Sequence, residues 1–236
     1  MIDLNEVNVK YPPQIHPWLE VKLTDEHIKY LWKIVKKGEE RGTDMKHTLA
    51  GNISTSFALD DENHYFTSEV LIPLARHYEN VFPSGVEPKP SEGMDSNGNR
   101  LKPTRVSLSL ESFWANYQYK HEFNPLHNHG GAFSFVIWMK IPYDCEDQNK
   151  AKFLNGTDEG QKVPGTFYFE FLNMFGDITQ SVFPMSPEME GSMLFFPSEL
   201  RHAVNPFYEC DEKRISISGN LGFIFNYEPV GEAIQA

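Results

Sequence analysis

A mainly β fold with N-terminal helices, of sandwich or jelly-roll type, is what this sequence predicts. Beyond residue 103, seven segments rich in aromatic and β-branched residues follow one another, punctuated by Gly, Pro and Asp/Asn. Before them, two segments carry helical periodicity. Between the two halves, residues 83–103 (PSGVEPKPSEGMDSNGNRLKP) hold almost no large apolar side chain and read as a long surface loop. The expected organisation is one domain over residues 1–236. Residues 1–103 form a helical and loop support in this reading, and residues 104–225 form the β core.

The first helix spans Thr24 to Lys37. Thr24 is an N-cap candidate, acids occupy the first turn, lysines the last, and Ile28, Leu31, Trp32 and Val35 form one apolar face. A second helix covers part of Thr67 to Phe82, where Pro73 either kinks it or marks its start. The strand candidates are TRVSLSLESFWANYQY, AFSFVIWMKIP, GTFYFEFL, DITQSVF, GSMLFFP, HAVNPF and RISISGNLGFIF. The polar stretch 144–162 reads as an insertion over one end of the barrel.

Composition limits function. A hydrophobic share of 40%, of which aromatics make 14% of the chain, can fill a sizeable core. The net charge of -12, with KIVKKGEER as the only basic run, argues against a surface for duplex nucleic acid, which needs clustered Lys and Arg. Cys145 and Cys210 form no CxxC pair and are too few for a disulfide scaffold, which points to a reducing compartment. The start, MIDLNEVNVKYPPQ, lacks a basic segment followed by an apolar core, and no apolar run reaches the length of a membrane span. A cytoplasmic location is therefore expected, and the oligomeric state is not legible.

Of nine histidines, His16, His27, His47, His64, His77 and His121 lie among polar neighbours and read as surface residues. His127 and His129 differ, because in extended backbone residues i and i+2 point to one side and both imidazoles can converge on an ion. Gly130 and Gly131 follow and leave room for close approach. His202, after the apolar strand GSMLFFP and a turn, can deliver a third ligand from a distant strand. Two neighbouring ligands and one distant ligand make the facial arrangement of non-haem iron sites, which leaves positions open for substrates.

Arg214, Ser216 and Ser218 share one strand face and Ile215 and Ile217 the other. A guanidinium beside a hydroxyl suits a carboxylate, the fork donating two bonds and the serine a third. An edge strand with a wet polar face is the competing reading. Trp114, Trp138 and Phe133 could line a pocket or fill the core.

Together, His127-x-His129, Phe196-Pro197-Ser198 with His202, Arg214 to Ser218 with Asn220, and the upstream Leu49 to Ile53 (LAGNI) resemble the iron(II)- and 2-oxoglutarate-dependent dioxygenases. The likeness is to phage and bacterial members with an HxH, H and RxS pattern, and it covers most of residues 49–225. It implies a double-stranded β-helix, cupin-like in form, and iron(II) held by His127 and His202. Arg214 and Ser216 would hold the distal carboxylate of 2-oxoglutarate, with Asn116 and Tyr119 as further cosubstrate contacts. Oxygen would be consumed and succinate released, with hydroxylation of a small-molecule or peptide substrate as the default outcome. The departure is His129, where the family usually has a carboxylate. It either ligates directly, stands outside the coordination sphere and leaves a position open, or gives way to Glu170. A three-histidine centre keeps one more positive charge than the usual set. A metal-binding cupin, whether isomerase, thiol dioxygenase or non-catalytic binding module, is the alternative. It lacks the usual Glu after HxH and leaves Arg214 without a role. An interaction protein that kept the fold and lost the chemistry is the third.

Overall fold

The computed structural model describes residues 18–82, 86, 93–98, 100–158 and 162–229. The readings of Met1 to Gln14 and of His16 lie outside these residues, as do residues 83–85, 87–92 and 99 of the 83–103 loop.

Strand β1 (Leu19–Lys22) leads into α1 (Asp25–Arg41), and Thr24 caps the helix by accepting from the His27 N–H at 3.3 Å. The helix runs past Lys37 because Gly38 is a point of contact. A Cβ there would stand 2.7 Å from Leu59 Cδ2 and 2.9 Å from the Ala58 carbonyl, so the glycine lets the helix cross β2 (Thr55–Ala58) closely. The buried face is Leu31, Ile34, Val35 and Gly38, whereas Trp32 is 38% exposed. A π-helical turn over Thr67–Leu71 leads directly into α2 (Ile72–Val81). Pro73, which has no N–H to donate, sits at the start of α2, where that lack costs least, and the wide turn before it keeps the helical path unbroken.

The remaining strands are β3 (Gly93–Met94), β4 (Arg100–Gln118), β5 (Asn124–His127), β6 (Phe133–Lys140), β7 (Thr166–Leu172), β8 (Ile178–Pro184), β9 (Ser192–Pro197), β10 (Arg201–Val204) and β11 (Arg214–Pro229). β3 pairs with Arg100 and Leu101, so residues 93–94 and 100–103 belong to strands and not to a loop. The 144–162 insertion carries a short helix, α3 (Cys145–Gln148), and both cysteines are free thiols.

These strands form two antiparallel sheets. The larger runs β1-β9-β6-β11-β4-β2 with β3 on β4, and the smaller runs β5-β10-β7-β8. This is the jelly roll the sequence predicts. Strand β6 reads as a continuous apolar run because both its faces are covered. Phe133, Phe135, Ile137 and Met139 pack with Leu31, Phe66 and Tyr78 in the cluster beneath the helices. Val136 and Trp138 pack instead with Phe167, Phe169 and Phe196 between the sheets. Among the described residues, no helix is long and apolar enough to cross a membrane.

Candidate metal centre

His127 ends β5 and stands opposite His202 of β10 in the smaller sheet, while His202 also stands opposite Phe169 of β7. His129 follows in the loop after β5, where its backbone N–H donates to the Ser198 carbonyl at 2.9 Å. The loop turns through Gly131 at φ +94, and a Cβ there would meet the Leu221 carbonyl oxygen at 2.7 Å, so this position requires glycine. The ligating nitrogens of His127, His129 and His202 all lie within 4.8 Å of one another. Their ring centroids are 4.9 Å (127 to 129), 4.4 Å (127 to 202) and 5.2 Å (129 to 202) apart.

The electronic state of this trio suits a cation. Nδ1 of His127 lies 2.7 Å from the Pro125 carbonyl and Nδ1 of His202 lies 3.0 Å from that of Leu200. A carbonyl can only accept, so in both rings Nδ1 carries the proton and Nε2 keeps its lone pair. Burial lowers the pKa of His127, with the Pro125 carbonyl opposing. Burial, helped by the neighbouring His127, holds His129 at about 4 and His202 at about 3. All three rings are neutral near pH 7, as metal ligation requires.

The inner face of the larger sheet forms a ladder leading away from the histidines. Cross-strand register sets Trp114 beside Ser218, Asn116 beside Ser216 and Gln118 beside Arg214. At a strand rise of about 3.4 Å per residue, the Arg214 row lies roughly 13 to 14 Å along the sheet from the Trp114 row. The three histidines, Trp114, Asn116, Ser216 and Ser218 line one cavity with Ser56, Lys46 and residues of the Leu49–Ile53 segment. Asn116 Oδ1 accepts from Ser56 Oγ at 2.7 Å, which turns its amide N–H groups elsewhere. Arg214 stands one row beyond Ser216, behind this wall, and is only 3% exposed. Its Nη1 donates to the Tyr143 hydroxyl at 2.7 Å and its Nη2 to Gln118 Oε1, while the Tyr143 O–H donates to the Gly165 carbonyl at 3.3 Å. Both of these partners are neutral. Among the described residues no carboxylate pairs with this buried guanidinium.

The candidates separate by strand face. His127, His129, His202, Asn116 and Ser216 come together, with Arg214 at the foot of the same ladder. Tyr119, just past the end of β4, falls on the opposite face from Asn116 and Gln118, is 40% exposed and does not line the cavity. Glu170 alternates with Phe169 and so turns away from His202. It pairs with Arg201 at 3.0 Å and accepts from Gln180 Nε2 at 3.3 Å. Of the three aromatic residues, only Trp114 lines the cavity. Gln118 and Tyr143, the partners of Arg214, were not foreseen. Period-two alternation from Asn116 could have indicated Gln118, whereas Tyr143 follows β6 with no local signal.

Residues 112–220, from the second half of β4 into β11, match the family described as "Putative 2OG-Fe(II) oxygenase". No curated protein matches the chain by sequence. Among solved structures, the epimerase SnoN from nogalamycin biosynthesis, described as non-haem and α-ketoglutarate-dependent, is 13% identical, aligned over 92% of this chain and 83% of its own at TM-score 0.50. A prolyl-4-hydroxylase from Pseudomonas putida is also 13% identical, over 86% of this chain and 91% of its own, at TM-score 0.48. At such identity the likeness to SnoN is one of fold.

Proposed function

We propose, from the premise that residues 112–220 are the domain of a 2-oxoglutarate-dependent non-haem iron oxygenase, a particular division of labour within it. His127, His129 and His202 hold iron(II), and Arg214 with Ser216 holds the distal carboxylate of 2-oxoglutarate. The outcome is hydroxylation of a small-molecule or peptide substrate with release of succinate and carbon dioxide. Bound iron(II) supplies the redox chemistry that couples oxidation of the cosubstrate to oxidation of the substrate.

The observation that carries this reading is Arg214. A buried cation whose partners among the described residues are all neutral leaves its desolvation uncompensated, and a carboxylate arriving along the Asn116 and Ser216 row would supply the missing charge. Tyr143 and Gln118 hold the guanidinium fork in place and leave its remaining N–H groups for the ligand. Asn116 presents amide N–H groups and Ser216 a hydroxyl on the path between Arg214 and the histidines. Phe167 and Phe196, at 5.9 and 4.9 Å from the His202 ring, keep water from one side of the centre. His129 as third ligand leaves the centre with no anionic side chain, so the carboxylate and keto oxygens of the cosubstrate would bring the first negative charge. The net charge of -12 favours a small molecule or peptide over a nucleic-acid duplex.

The test is an anaerobic titration with iron(II) and then 2-oxoglutarate. The visible charge-transfer band of a chelated keto acid is expected. Bound metal with no band would refute the oxygenase reading and favour a cupin-like metal site, in which Arg214 has no role.

A further inference from the structure

The three histidines are not held alike. Local hydrogen bonds to carbonyls two residues earlier orient the rings of His127 and His202. No such bond to the His129 ring occurs among the described residues, and its ring contacts are with Trp114, His127 and His202. The place of His129 therefore depends on its backbone, and the backbone hangs on Ser198.

Ser198 is fully buried in the turn between β9 and β10. Its N–H donates to the Ala132 carbonyl at 3.0 Å while its carbonyl accepts from His129, so it clamps both ends of the His129–Ala132 loop. Its hydroxyl oxygen lies 3.1 Å from that of Ser134, which in turn is 2.7 Å from Asn220 Oδ1. Asn220 Oδ1 can only accept and Ser134 has one proton, so Ser134 donates to Asn220 and accepts from Ser198. Asn220 Nδ2 then donates to Ser112 Oγ at 2.9 Å. The row crosses β6, β11 and β4 in register, one step from the Trp114 and Ser218 row. Ser134 and Ser198 are 1% and 0% exposed. At its buried end, Ser198 and Ser134, the row admits one arrangement, because breaking a bond there strands a hydroxyl away from water, whereas Asn220 and Ser112 are half-buried.

We propose that Ser198, Ser134, Asn220 and Ser112 form a positioning row that sets His129 as the third metal ligand. This rests on the reading of the three histidines as a metal centre. The row holds the residue that stands where a carboxylate is usual, through main chain rather than through its ring, so its loss loosens one ligand and spares the other two.

The test uses cobalt(II), whose visible bands report affinity and coordination without turnover. Ser134→Ala, and Asn220→Leu as a second break of similar volume, are expected to weaken cobalt binding about tenfold or more and to change the band shape. In a His129→Ala background the same changes are expected to add nothing, since the ligand through which the row acts is gone. Unchanged affinity and bands in whichever variant folds, or an equal loss in the His129→Ala background, would overturn the positioning role. A wild-type protein that binds no cobalt would instead overturn the metal-centre reading beneath it.

Discussion

Arg214→Met separates the stability of the protein from its affinity for 2-oxoglutarate, and the two should respond differently. In the ligand-free protein the guanidinium is 3% exposed, and among the described residues its hydrogen-bond partners are Tyr143 and Gln118. Removing an uncompensated buried charge relieves a desolvation penalty of several kcal/mol. The same change leaves the Tyr143 hydroxyl and Gln118 Oε1 each without a donor, at about 1 to 3 kcal/mol apiece. The opposing effects nearly cancel, so the metal-loaded variant without cosubstrate should unfold within about 2 kcal/mol of wild type. Ligand-dependent stabilisation should behave otherwise. At a hundredfold excess over Kd, 2-oxoglutarate stabilises wild type by about 2.7 kcal/mol. In a chain of this size that corresponds to roughly 5 to 11 °C in Tm. The variant should lose nearly all of it, because a bidentate charge-assisted contact worth about 3 to 5 kcal/mol is gone, about two to three and a half decades in Kd. The assay is anaerobic thermal unfolding with iron(II), with and without 2-oxoglutarate. A variant that keeps the ligand-induced shift would refute Arg214 as the anion site. A ligand-free variant destabilised by much more than 2 kcal/mol would show that the charge is already compensated.

Three further outcomes are expected. The unfolded chain takes up protons on His129 and His202 near the ordinary value of about 6.5. The folded protein resists until about 4 and about 3, so across that window the unfolded state holds more protons. Stability of the metal-free protein should therefore rise with pH up to about 6.5, and urea midpoints at about pH 5 and about pH 7.5 check it, with a smaller difference expected in His202→Gln. His129→Asp adds one negative charge to the centre and should lower the potential of bound iron, measured by redox titration; a raised or unchanged potential would mean that position 129 is not a ligand. Glu170→Gln should leave iron affinity unchanged, since that carboxylate is engaged with Arg201 on the far face of β7, and a loss of affinity by metal titration would contradict this.

Much of the fold was legible because it rests on local pattern. Thr24 and the acids after it announce α1, and alternating or continuous apolar runs announce β4, β6, β7, β9 and β11. The errors fall where contact decides. The helix expected to end at Lys37 continues to Arg41, and Gly38 is the point where it passes over Ala58 and Leu59. Trp32 fits the helical period but faces outward, while Ile34 is buried. Arg100 to Pro103, polar and broken by proline, are strand because β3 and β11 pair with them.

For the site, residue type and spacing single out His127, His129, His202, Arg214 and Ser216, since few side chains offer imidazole ligands or a guanidinium fork. Alternation along one strand is also a sequence property, and it sorts Asn116 from Tyr119 once the register is known. Only the tertiary structure decides that register. It sets Gln118 against Arg214, brings Tyr143 from 71 residues away in the chain, and carries the clamp on His129 through Ser198, Ser134 and Asn220. The physical reason is range: local backbone geometry and side-chain chemistry are written in neighbouring residues, whereas hydrogen bonds between distant strands exist only after the sheets have closed around them.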